Sequence, residues 1–199
     1  ASGLGVDRVA ASVRGCRAEV EGGGILAHDS ALRLTDTRVA ECSTAGDGGG
    51  VSLSAGTLAW FSGSTIDECS VMFARGRGSA LQISYEAAAH LSSTTVSRSH
   101  SQMYGTVYVE GHLGMFNGSA IADCRAVDLG GSSSAAVARR GGVLWVRRHG
   151  SVVLVESQVR NCTAEYLGIL TSDMELRHSF APISIDPGGD AAIYESSIV

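Results

Sequence analysis

Thr37-Arg38-Val39-Ala40-Glu41-Cys42, Gly50-Val51-Ser52-Leu53, Leu58-Ala59-Trp60 and Ser64-Thr65-Ile66-Asp67-Glu68-Cys69 follow one another along the chain and decide its fold. The first and last of these segments are one pattern: Ser, Thr or Ala, any residue, Val or Ile, two residues, then Cys. The pattern returns as Ala11-Ser12-Val13-Arg14-Gly15-Cys16, Thr94-Thr95-Val96-Ser97-Arg98-Ser99, Ser119-Ala120-Ile121-Ala122-Asp123-Cys124 and Ser157-Gln158-Val159-Arg160-Asn161-Cys162, and it opens once more at Ser196-Ser197-Ile198. Val39 lies 26 residues after Val13, Ile66 27 after Val39, Val96 30 further, Ile121 25 further and Val159 38 further. Self-similarity at 25 to 30 residues, with one longer step, is the signature of a repeat architecture.

Between successive copies stands a glycine-led apolar segment followed by a second one. Gly24-Ile25-Leu26 precedes Leu32-Arg33-Leu34, and Gly142-Val143-Leu144-Trp145-Val146 precedes Val152-Val153-Leu154-Val155. Apolar residues alternate in steps of two, Val, Ile and Leu dominate, and Gly, Ser and Asp clusters separate the segments, so each repeat reads as three short strands. Such a unit cannot bury its own apolar side, and stacking on its copies is the remedy. The reading is therefore all-β: a right-handed parallel β-helix solenoid of about seven coils, each with three short strands. In it equivalent residues form ladders at about 4.8 Å per rung. A left-handed β-helix needs hexapeptide units, a propeller needs four strands in about 40 residues, and an immunoglobulin-like sandwich would not repeat a motif in phase.

The unit Gly48-Gly49-Gly50-Val51-Ser52-Leu53, Gly56-Thr57-Leu58-Ala59-Trp60-Phe61, Ser64-Thr65-Ile66-Asp67-Glu68-Cys69 resembles the polymorphic outer-membrane-protein type of β-helix repeat, within the pectate-lyase-like superfold. That family closes its repeats with Phe-x-x-Asn, where this chain has Val or Ile-x-x-Cys. The resemblance covers nearly the whole chain. It implies an extracellular or cell-surface passenger, often adhesive, and less often a polysaccharide-active enzyme.

Composition narrows the function classes. Glycine is 26 of 199 residues and proline only 2, which reads as turns rather than a disordered tract. Net charge is −5, every basic residue is Arg, and no basic footprint for nucleic acid or membrane exists. No apolar run reaches the roughly 18 residues of a membrane span. Five cysteines without metal-finger spacing give neither a paired disulfide framework nor a zinc site.

The candidate residues fall on the repeat. Cys16, Cys42, Cys69, Cys124 and Cys162, with Ser99 on the missing rung, read as a structural ladder of small side chains. Glu41, Glu68, Arg98 and Asp123, each just before that column, read as an exposed face, with Glu41 and Glu68 stacked as like charges and Arg98 next in line. Asn117 and Asn161, the two asparagines of the chain, both lie in Asn-x-Ser/Thr sequons and are candidate glycosylation sites on a secretory route. His112 and His149 are expected to stack as neighbours. Arg147-Arg148-His149-Gly150 reads as an exposed turn, and Asp47 in Gly46-Asp47-Gly48-Gly49-Gly50 is a lone hint of calcium. Residues 130–140 read as an inserted loop and residues 168–190 as an irregular coil within one domain spanning 1–199.

No catalytic, cofactor or metal set can be assembled from these residues. The expectation is a non-enzymatic, secreted or cell-surface scaffold, adhesin-like, presenting a face to a protein or polysaccharide. A polysaccharide lyase or glycosidase with acids beyond this segment is the first alternative. A filament or assembly subunit, stacking end to end on other chains, is the second. Repeat pattern at both ends gives the further expectation of an excerpt from a longer solenoid.

Overall fold

The computed structural model describes residues 11–72, 76–102, 104–128, 143–166, 183–185 and 190–198. Those residues form 25 β-strands and no helix. All strand pairing is parallel, and each strand pairs with its equivalent one turn away, which makes the chain a parallel β-solenoid.

Four sheets run the length of the coil. The first holds seven strands: Ser12–Arg14, Arg38–Ala40, Thr65–Asp67, Thr95–Ser97, Ala120–Ala122, Gln158–Arg160 and Ser197–Ile198. The second begins just after the cysteines, with Arg17–Ala18, Ser43–Thr44, Ser70–Val71, His100–Ser101, Arg125–Asp128 and Thr163–Tyr166. The third runs from Ile25–His28 and Val51–Ser54 to Leu144–Val146 and Ile183–Ile185, and the fourth from Ala31–Thr35 and Leu58–Ser62 to Ser151–Val155 and Asp190–Tyr194.

This corrects the expectation of seven coils with three strands each. A turn has four strands. Four turns, from Ser12 to Phe116, are described with only residues 73–75 and 103 missing, and the turns after them are described in part. The overlooked sheet is the second, whose two-residue strands are too short to show alternation in sequence. The inserted loop at 130–140 lies outside the described residues, as does most of 168–190. The described part of the latter keeps register, with Ile183–Ile185 on Leu144–Val146 and Asp190 on Ser151.

The register of the first sheet is the repeat itself, with Val13 on Val39, Val39 on Ile66, Ile66 on Val96, Val96 on Ile121, Ile121 on Val159 and Val159 on Ile198. Val39, Ile66, Val96, Ile121 and Val159 are buried, and they meet Leu53, Leu81 and Val107 of the third sheet and Phe61, Leu91 and Leu113 of the fourth in one core. Corners turn on left-handed residues. Before the cysteine column these are Gly15, Glu41, Glu68, Arg98, Asp123 and Asn161, at φ between +46° and +64°. The glycine triplet has a separate cause, close approach. A Cβ on Gly49 would lie 2.2 Å from the Ser70 carbonyl oxygen, and one on Gly50 2.6 Å from that of Ala80.

Candidate functional site

Along the first sheet and its corner, charged residues on successive rungs interlock. Arg14 donates to Glu41 at 2.5 Å, and both side chains reach solvent. Asp67 is almost wholly buried and accepts from Arg38 at 3.0 Å, from the Ser97 hydroxyl at 2.8 Å and from Arg98. The Arg98 Nε donates to Glu68 at 2.9 Å. The Arg14 hydrogen bond and charge lower the Glu41 carboxyl below its usual range, and Asp67 followed by Glu68 raises the Arg98 guanidinium. The like charges of Glu41 and Glu68 are thus each met by an arginine, on opposite sides. Asp123 stands exposed at the same corner one rung beyond Arg98.

Arg14, Arg38, Asp67 and Ser97 were absent from the sequence-derived face. Arg14, Asp67 and Ser97 share the motif position after the buried aliphatic residue, which carries Ala40 and Ala122 in other turns and so shows no fixed chemistry along the chain. Beyond Arg14 the second sheet begins, and a groove of about 520 Å³ lined by Arg17, Glu19, Ala45 and Met72 opens beside it.

The cysteine column points inward. Cys42, Cys69 and Cys124 are buried, Cys16 and Cys162 half-buried, and all five are free thiols. Each thiol donates to the carbonyl two residues before it, at 3.2 Å in Cys42 and Cys162 and 3.3 Å in Cys69 and Cys124. Ser99 does the same with its hydroxyl at 3.0 Å and accepts the Cys69 amide at 3.1 Å. Burial pushes the Cys69 thiol up to about 12. The neighbouring Cys162 thiol and burial raise the Cys124 thiol as well.

A second inward column, not singled out by sequence, is the first residue of the motif. Thr37, Ser64, Thr94, Ser119, Ser157 and Ser196 stack along it. The amides of Thr37, Ser64 and Thr94 donate to the hydroxyls of Ser64, Thr94 and Ser119 at 3.2, 3.3 and 3.2 Å, and Ser157 donates to Ser196 at 3.0 Å. Each of these hydroxyls also donates to a carbonyl of its own corner. These small polar residues therefore lie inside the coil, where they bind rungs together.

On the outside of the fourth sheet a ring column forms from Arg33, Trp60, His90 and Phe116. The Arg33 guanidinium lies 5.2 Å from the Trp60 ring centroid, and Trp60–His90 and His90–Phe116 are stacked at 6.3 Å with planes 18° and 22° apart. Phe116 reaches over Gly114, where a Cβ would meet its ring at 2.5 Å. Trp60 and His90 thus each have a stacked neighbour on both sides.

The expected His112–His149 stack is not formed. His112 sits opposite Ser151 in register, with Nδ1 2.5 Å from the Ser151 hydroxyl, and lies 6.0 Å from His90; His149 instead packs edge-on against Tyr85 at 6.4 Å. A shared offset from strand starts failed because the corner before His112 is shorter than the one containing His149. Arg148 and His149 are exposed in their turn, whereas Arg147 is half-buried and donates to the Tyr108 hydroxyl at 3.1 Å. Asp47 accepts the Arg77 amide at 2.8 Å and faces its guanidinium at 3.9 Å. Its carboxyl is thereby engaged by a cation. Among the described residues no group of three or more His, Cys, Asp or Glu side chains is placed to hold a metal ion, and no helix is long and apolar enough to cross a membrane.

The two sequons differ in setting. Both asparagines are exposed at corners, but the Asn117 amide nitrogen donates to the Ser92 hydroxyl at 2.8 Å, and the Asn161 amide has no partner among the described residues. No protein-family model, curated protein or solved structure matches this chain, and the parallel β-solenoid with its ladders is what identifies it.

Proposed function

We propose that this chain is a non-enzymatic scaffold, secreted or held at a cell surface, that presents one outer corner of the solenoid to a saccharide or protein. In this reading the coil is right-handed, as parallel crossovers nearly always are, and belongs with the polymorphic outer-membrane-type repeats that the Gly48–Leu53 and Ser64–Cys69 segments resemble. One observation carries it. Thiols and hydroxyls are consumed inside, rung on rung, while Arg14, Glu41, Arg38, Arg98 and Glu68 reach solvent around the buried Asp67, beside the groove at Arg17 and Met72. A row of fixed alternating charges gives orientation and specificity to an encounter more than raw affinity.

The test is binding of the full chain to a panel of acidic and neutral polysaccharides and to cell-surface protein, with parallel measurement of new reducing or unsaturated sugar ends. Binding that weakens in Arg14→Glu and Arg17→Glu, without product, supports the scaffold. Product formation moves the chain to the lyase or glycosidase class. No binding to any surface component, or residence inside the cell, overturns the proposal.

A further inference from the structure

We infer that Asn161, and not Asn117, is the residue of this chain that carries an N-linked oligosaccharide, an inference that rests on the secretory reading above. Both asparagines occupy left-handed corners, Asn117 at φ +53° and Asn161 at φ +51°. The residues that follow them point in opposite directions. The Asn161 sequon continues through Cys162 to Thr163 in the second sheet, and Thr163 is exposed, with its amide tied to the Cys124 carbonyl at 3.0 Å and its side chain facing out. The Asn161 amide has no partner among the described residues. The equivalent corner positions in earlier turns are Gly15, Glu41, Glu68, Arg98 and Asp123, all exposed. This corner thus accepts any side chain that leaves it toward solvent.

Asn117 is exposed as well, but its amide is engaged and the hydroxyl of its sequon is not accessible. Its Nδ2 donates to the Ser92 hydroxyl at 2.8 Å, and its backbone carbonyl accepts from the Ser93 hydroxyl at 3.0 Å. The hydroxyl that completes its sequon, Ser119, is fully buried. It donates to the Phe116 carbonyl at 2.7 Å and accepts the Thr94 amide at 3.2 Å. An enzyme that must grip asparagine and hydroxyl together has to pull Ser119 out of the inward column, and a sugar on Nδ2 competes with the Ser92 contact. At Asn161 neither cost arises.

In the transfer, the Asn161 Nδ2 attacks the anomeric carbon of a polyprenyl-diphosphate-linked oligosaccharide. A C–N bond forms, the bond from that carbon to the diphosphate oxygen breaks, the lipid diphosphate leaves, and one amide proton passes to solvent.

The experiment secretes the full chain from eukaryotic cells behind an added signal peptide and maps each site by peptide mass before and after enzymatic deglycosylation. The added signal supplies the route, so failure here is separate from failure of the localisation reading, which fractionation of the native protein decides. The glycan mass shift is expected in the wild type, retained in Asn117→Gln, and lost in both Asn161→Gln and Thr163→Ala. An unmodified Asn161, or occupancy of Asn117 equal to that of Asn161, overturns the inference.

Discussion

Replacing Thr94 by Val tests whether the inward hydroxyl column joins the rungs. The side chain keeps its shape and exchanges a hydroxyl for a methyl at a site with no exposure to solvent. Two hydrogen bonds disappear: the one accepted from the Ser64 amide at 3.3 Å and the one donated to the Ser92 carbonyl at 3.0 Å. The Ser92 carbonyl keeps the Gly63 amide at 3.0 Å, so only the Ser64 N–H is left buried without a partner. One orphaned buried donor costs about 1–3 kcal/mol, and the added buried methyl returns at most about 0.8 kcal/mol. The net loss is then about 0.2–3 kcal/mol, centred at about 1.5 kcal/mol, or about 3–6 °C in midpoint for that central value at the usual 2–4 °C per kcal/mol for a chain of this size. Thermal and urea unfolding followed by circular dichroism reads it, with Thr95→Val, half-buried next door, as the neutral control. A Thr94→Val protein as stable as the wild type would refute the claim that this column holds the turns together.

Other ladders give further expectations. Under native conditions a maleimide labels Cys162 and Cys16 first, while Cys42, Cys69 and Cys124 react only on unfolding; peptide mass spectrometry resolves the order, and equal rates for all five would contradict the inward column. Ile66→Ala removes buried volume in the first-sheet ladder and should cost about 2–5 kcal/mol, read as a lowered urea midpoint. Gly50→Ala should destabilise as well, because its Cβ would meet the Ala80 carbonyl oxygen at 2.6 Å and Ile66 Cγ2 at 2.9 Å; unchanged stability there would mean the turns are not packed so closely. Burial, and then His112, hold the His90 imidazole below its ordinary 6.5. The unfolded chain therefore takes up this proton more readily than the folded one, and stability falls as pH drops below about 6.5. His90→Gln should flatten that slope in urea midpoints taken between neutral and mildly acid pH.

The parts of the fold that could be read from the residues are those that repeat chemically. Val13, Val39, Ile66, Val96, Ile121 and Val159 announce a column because burial demands an aliphatic side chain on every rung, and the structure pairs them one to one. The second sheet escaped because Ser43–Thr44 or His100–Ser101 has two residues, too few for a period to appear. The ionic chain escaped for a different reason. Asp67 owes its role to Arg38 one rung back and Arg98 one rung on, and that relation depends on lateral register, not on the local motif. His112 and His149 show the limit from the other side, since counting from strand starts assumes corners of equal length.

The self-satisfaction of the ladders constrains what such a chain can do. A buried thiol that donates to its own corner, or a hydroxyl that both donates and accepts along the axis, is stabilised where it is and is a poor nucleophile, because departure leaves a buried partner unpaired. Trp60 and His90 have a neighbour on each face, Arg33 and His90 for the first and Trp60 and Phe116 for the second, which leaves those two rings less face to offer a sugar. What varies most from turn to turn is the exposed corner that holds Gly15, Glu41, Glu68, Arg98, Asp123 and Asn161. Its backbone is fixed in the left-handed region by the geometry of the turn, and its side chains are free to differ. In the proposed reading, recognition is carried by the sequence of side chains along that corner, spaced at about 4.8 Å, and exchanging residues between two rungs other than that of Arg98, which holds the buried Asp67, should change partner preference while leaving the unfolding midpoint near that of the wild type.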